Sequence, residues 1–166
     1  MPRTARPAKA AQPNGPGIRD LLSYRLSRTA NLMSRGAALR YRREFDVSLG
    51  EWRALALLAD TGKQSLMQLS RAAGLDKAQM SRVVKSLTEH GLVVRDLSSQ
   101  GGRAVELNLT RRGQQTYAGL IAAAAERDRA LRAVLTDAEQ TTLDAMLSKL
   151  AAAARGLIEA EAEKDV

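Results

Sequence analysis

Apolar positions follow helical periods along most of this chain and alternate strictly in one short stretch. Leu22, Leu26, Met33 and Ala37, widened by Leu21, Ala30 and Tyr41, draw an apolar stripe on a long helix from Ile18 to about Phe45. Trp52, Leu55, Leu58 and Ala59 give the apolar side of a second helix, which opens after Ser48 and breaks at Thr61-Gly62-Lys63. Two shorter helices are predicted from Leu66 to Ala73 and from Lys77 to His90, joined by Ala73-Gly74-Leu75-Asp76. Leu92 to Leu97 has β character, Ser98-Ser99-Gln100-Gly101-Gly102 reads as a tip, and Val105, Leu107 and Leu109 alternate on one face of a second strand from Ala104. A helix capped by Thr110 runs to about Leu135, and another follows Thr136. In the last, Leu143, Leu147, Leu150, Ala154 and Leu157 step by four, three, four and three, a heptad seam that requires a partner surface.

Side-chain chemistry at the breaks agrees with the periodicity. Ser48 with Glu51, Ser65 with Gln68, Asp76 with Gln79 and Thr136 with Glu139 all have capping-box spacing, in which the first side chain takes an orphan amide and the second reaches back. Gly74 and Gly91 stand where a residue tolerant of positive φ ends a helix. Helix, tight turn, helix, strand, glycine-rich tip and strand form a winged helix-turn-helix, inside a fold that is mainly α with a small β-hairpin wing. The expected organisation is a disordered basic arm over 1–16, helical dimerisation segments over 17–46 and 111–160, and a winged helix-turn-helix DNA-binding domain over 47–110.

Composition narrows the chemistry. The chain has no cysteine, which removes disulfides, thiolate catalysis and thiol redox sensing, and one histidine, His90, which argues against a protein-only zinc site. His90 falls at a helix C-terminus, where a positive charge is favoured, so capping is its expected role. No nucleophile, acid–base pair or metal cluster is legible, and no cofactor or metal is expected. No apolar run reaches membrane-spanning length, so the expected location is the cytoplasm, with no membrane partner. The net charge of +8 is uneven: residues 63–112 carry nine positive and four negative charges, whereas 113–166 carry six and nine. A basic excess centred on the module suits a polyanion, although a solvated charged surface would account for charge alone.

On the helix from Lys77 to His90, Met80, Val83, Val84 and Leu87 share the face turned to the core, leaving Lys77, Gln79, Ser81, Arg82 and Lys85 outward. Gln pairs with adenine edges, Arg with guanine, and Ser with a base or a phosphate; the two lysines suit phosphates. Arg103, just past the double glycine, is placed to enter a minor groove, the alternative being a plain hairpin with an exposed arginine. Arg95, at the wing base, suits phosphate contact or a structural ion pair equally. A sequence-tolerant architectural binder is the competing function; the pairing of Gln79 with Arg82 argues against it.

With these residues in view, the chain resembles MarR-family transcriptional regulators. The likeness rests on LSRAAGLDKAQMSRVVKSLTEHGLVVR (69–95) and GRAVELNLTRRG (102–113), and covers about residues 17 to 158. The resemblance implies a triangular homodimer joined through the first and last two helices, offering two winged helices to double-stranded DNA at a palindromic operator. It implies a repressor released by a small aromatic or phenolic acid. It assigns base reading to the helix from Lys77 to His90 and the wing arginine to Arg103. The family's wing usually carries an Asp-Arg-Arg run; here Gly101, Gly102 and Arg103 stand there, so the acidic brace is missing and a tip that orders on DNA is expected. The expected effector site lies where the first, second and fifth helices converge, with Tyr24, Arg28, Asn31 and Trp52 as candidates. Core packing of Trp52 and dimer pairing of Arg28 are the alternatives.

Overall fold

A computed structural model describes residues 15, 17–97 and 105–165. One 3-10 turn, Ile18–Asp20, leads into α1 (Leu22–Phe45), followed by α2 (Leu49–Thr61), β1 (Gln64–Ser65), α3 (Leu66–Ala73), α4 (Lys77–Glu89), β2 (Val93–Leu97), β3 (Val105–Leu109), α5 (Arg111–Arg132) and α6 (Asp137–Ala162). The strands form one antiparallel sheet in the order β1-β3-β2, with Arg95 opposite Leu107 and Gln64 also opposite Leu107 from the other side.

Local chemistry fixes most of the boundaries. Ser48 and Glu51, Ser65 and Gln68, and Thr136 and Glu139 form complete capping boxes. At α4 the Asp76 carboxylate accepts the Gln79 N–H at 2.7 Å. Gly74 at φ 64° and Gly91 at φ 66° occupy the left-handed region the two turns need. Three expectations shift. The helix from Ile18 is divided, because Leu21 is extended (ψ 131°) between the 3-10 turn and α1. α4 ends at Glu89, with His90 as its C-cap residue. The helix expected to reach Leu135 stops at Arg132, where the Gln140 side-chain amide reaches back to the Arg132 and Leu135 carbonyls and satisfies the chain end.

The core lies within the module. Leu55 and Leu58 of α2, Leu69 of α3, Met80, Val84 and Leu87 of α4, and Val93 and Leu107 of the sheet are all buried. α5 joins this core through Gly113, Leu120 and Ala123. The flanking helices differ sharply. α6 buries no residue, and α1 buries only Tyr41. Leu22, Leu26 and Met33 of the α1 stripe are 54%, 40% and 44% exposed, and Leu143, Leu147 and Leu157 of the α6 seam are 42%, 44% and 68% exposed. The chain thus leaves two long apolar stripes uncovered on α1 and α6.

The junction between module and flanking helices is closely packed. Thr110 caps α5 through the Gly113 N–H at 2.9 Å, while its hydroxyl donates to the Gly91 carbonyl at 2.7 Å and its own N–H to the Leu92 carbonyl at 3.0 Å. Gly113 lies so close to the Leu92 carbonyl oxygen that a Cβ at this position would overlap it.

Candidate nucleic-acid interface

α4 has two chemically distinct sides. Met80, Val84 and Leu87 are fully buried, and Val83 is half-buried. Lys77, Gln79, Arg82 and Lys85 are all exposed, and Ser81 is half-buried. The helix spacing predicted in the sequence therefore produces an outward polar row held by an anchored apolar face. Ala78, exposed and one turn before Arg82 on the same row, was not picked out by sequence reasoning, which weighted polar side chains; a methyl there suits apolar contact with a thymine methyl.

Three of the candidates converge. Ser81 and Lys85 of α4 and Arg95 of β2, with Thr88 and Glu89, frame an open hollow of about 430 Å³. Glu89 lies 3.8 Å from the Lys85 ammonium; both are exposed, so water screens the pair. Arg95 enters no ion pair among the described residues, whereas its neighbour Asp96 holds Lys63 at 3.6 Å. Arg103, with Gly101 and Gly102, lies outside the described residues.

The helix is held from behind by a buried carboxylate. Glu51, 4% exposed, accepts the Ser48 N–H at 2.6 Å through one oxygen and the Ser86 hydroxyl at 2.5 Å through the other. Burial pushes its pKa up, but the Ser86 hydroxyl and the Ser48 N–H and hydroxyl outweigh this and hold it below the ordinary 4.5. The capping-box spacing revealed the first bond; nothing local in the sequence revealed the second, since Ser86 is 35 residues away.

The expected effector site resolves into two places. Tyr24, Arg28 and Asn31, with Ser27, Leu32 and Arg35, line a hollow of about 390 Å³ formed by α1 alone. Trp52 is not there. It lies where α1, α2 and α5 converge, in a hollow of about 310 Å³ whose wall includes Tyr41, Arg53, Arg127 and Asp128. Its ring stacks on Tyr117 at 5.8 Å and meets Tyr41 obliquely at 5.6 Å. The four candidates therefore do not line a single hollow. Asn31 stands at the edge of the convergence, sharing a further hollow with Ser34 and Leu49, which also line the one around Trp52; Tyr24, nine residues before Met33 on α1, lies about 13 Å farther along the axis. Arg127 crosses from α5 to donate to the Met33 carbonyl at 2.9 Å, lying against Gly36, where a Cβ would come within 3.2 Å of the guanidinium.

A sequence model of the MarR family matches residues 45–104, which span α2 to the wing. The chain is 31% identical over 101 residues to the HTH-type transcriptional regulator FarR of Neisseria gonorrhoeae, covering 61% of this chain and 69% of that protein. This chain belongs to the MarR family. It is also 34% identical over 104 residues to a transcriptional regulatory protein assigned to the hcr operon of Thauera aromatica, where the match spans 63% of each chain. In three dimensions it is similar to a MarR/EmrR family transcriptional regulator from Acinetobacter sp. ADP1, with a TM-score of 0.74, 29% identity, and coverage of 84% of this chain and 98% of that one. MarR-family membership makes the chain one of a family of transcriptional regulators, not of enzymes. No group of metal-ligating side chains is found among the described residues. No helix among them is long and apolar enough to cross a membrane.

Proposed function

We propose that this MarR-family protein is a sequence-specific, ligand-responsive repressor that binds a palindromic operator as a homodimer. The observation that carries the proposal is the outward row on α4: Lys77, Gln79, Arg82 and Lys85 are exposed on a helix whose opposite face is locked into the core. Such a helix presents bidentate side chains to base edges without itself being free to turn. MepR of Staphylococcus aureus, 18% identical with a TM-score of 0.69 and so alike in fold, has been crystallised with DNA. By this reading Arg82 and Gln79 read bases in the major groove, Lys77, Lys85 and Arg95 neutralise phosphates, Ser81 contacts either, and Arg103 enters the minor groove. The uncovered stripes of α1 and α6 form the dimer interface and set the spacing of the two α4 helices at about 34 Å, one turn of duplex.

Control by a ligand requires a site that differs between the two spacings. The hollow around Trp52 is the better candidate, because aromatic walls and the Arg53 and Arg127 guanidinium groups suit a small aromatic or phenolic acid. Bordetella bronchiseptica BpsR, alike in fold at 20% identity, is regulated in its DNA binding by 6-hydroxynicotinic acid. Tyr24, half-buried, and Arg28 and Asn31, both exposed, lie on one helix and are better suited to the dimer contact.

Arg82→Ala tests the base-reading role. Fluorescence anisotropy on a panel of operator duplexes should show a loss of about 1–3 kcal/mol confined to one position in each half-site. Equal weakening on every duplex would reduce Arg82 to a phosphate contact. Retention of operator by the native protein against excess random duplex at moderate salt separates this function from sequence-tolerant architectural binding.

A further inference from the structure

We infer that Glu51 is a positioning residue: through Ser86 it ties the placement of α4 to the first turn of α2, whose other side lines the hollow around Trp52. The inference rests on the reading of α4 as the DNA-reading helix and adds a route by which that helix is controlled. Two contacts independently fasten the same turn to α4. The Glu51 carboxylate accepts the Ser86 hydroxyl at 2.5 Å, and Gly50 lies so near Val83 that an added Cβ would stand 3.3 Å from its Cγ2. Val83 and Ser86 are three apart on α4 and share its inner face.

The same turn faces the other way with equal definition. Leu49, Trp52 and Arg53 line the α1–α2–α5 hollow, so residues on both sides of Glu51 in sequence face that space. One turn of helix is therefore shared by the hollow and by the back of the recognition helix. A packed helical turn moves as a unit, and a short charge-assisted hydrogen bond transmits that movement more faithfully than apolar contact, which tolerates sliding. Glu51 is itself fixed to the turn, because its second oxygen holds the Ser48 N–H. A shift of this turn thus carries the Ser86 end of α4 with it.

Coupling of this kind is reciprocal: if the surroundings of Trp52 bias α4, then DNA held by α4 must alter the surroundings of Trp52. Trp52 is the chain's single tryptophan, so its emission reports that turn alone. The probe is a duplex selected from a random-sequence pool by the native full-length protein. Titrating it into the native protein should change Trp52 emission along the binding curve. Ser86→Ala should still bind the duplex, roughly threefold to thirtyfold more weakly, and lose most of the emission change. Ser86→Thr, which keeps the hydroxyl, should restore both. Thermal denaturation of each variant separates weakened coupling from weakened folding. The inference is overturned if the native protein binds the duplex with no change at Trp52, or if Ser86→Ala keeps the full change. A native protein that retains no duplex from the pool overturns the DNA reading itself, which is a separate result.

Discussion

Gly113→Ala should cost about 3 kcal/mol of stability, whereas an ordinary glycine-to-alanine change in a helix stabilises. The first turn of α5 rests directly on the Leu92 carbonyl, and a Cβ at 113 would overlap that oxygen. The obstruction is backbone, so no rotamer relieves it. The same carbonyl accepts the Thr110 N–H, so moving α5 away also breaks the bond that anchors its capping residue to the turn between α4 and β2. Gly156→Ala in α6, with nothing within 4 Å of its added methyl, serves as the comparison and should gain about 0.5–1 kcal/mol. Urea unfolding of both variants decides the matter. Gly113→Ala unfolding at the native midpoint would mean that α5 does not sit on Leu92.

The second large effect belongs to the α6 seam. Replacing both Leu143 and Leu147 with Glu should leave the chain folded, since each is more than two-fifths exposed, yet abolish the proposed dimer by placing charge on its proposed apolar interface. Sedimentation equilibrium should then give a monomer. Operator affinity should fall by about two to four orders of magnitude, because each α4 must bind its half-site without the effective concentration its twin supplies. A variant that stays dimeric would place the interface elsewhere. A monomer that keeps native affinity would remove the need for paired half-sites.

The sequence was informative wherever the controlling interaction was local. Ser48, Ser65 and Thr136 announce their helices through a partner three residues on, and α3 spans the predicted residues Leu66 to Ala73. The outward row of α4 followed from spacing alone. What escaped was set by contacts between distant segments. β1 is two residues long, too short for any alternation, and exists because β3 lies beside it. Trp52 and Tyr24 fall on helices whose patterns suggest convergence, yet they line separate hollows, because Tyr24 lies near the start of the long α1 and Trp52 faces its later turns. The bond from Glu51 to Ser86 leaves no local trace, since a capping carboxylate reads the same whether its second oxygen meets water or a buried hydroxyl. The ends of α1 and α5 were displaced for a similar reason: Leu21 turns extended, and Gln140 from the next helix caps the chain at Arg132.

The central claim is that two α4 helices read bases in neighbouring major grooves. Sequencing the duplexes that the native protein retains from a random pool tests it most directly. The account predicts an enriched inverted repeat whose half-sites are centred about 10–10.5 base pairs apart, with one position in each half losing its preference when Arg82 is replaced by alanine. Retention of duplexes with no enriched sequence, or a single unpaired motif indifferent to Arg82, would contradict it.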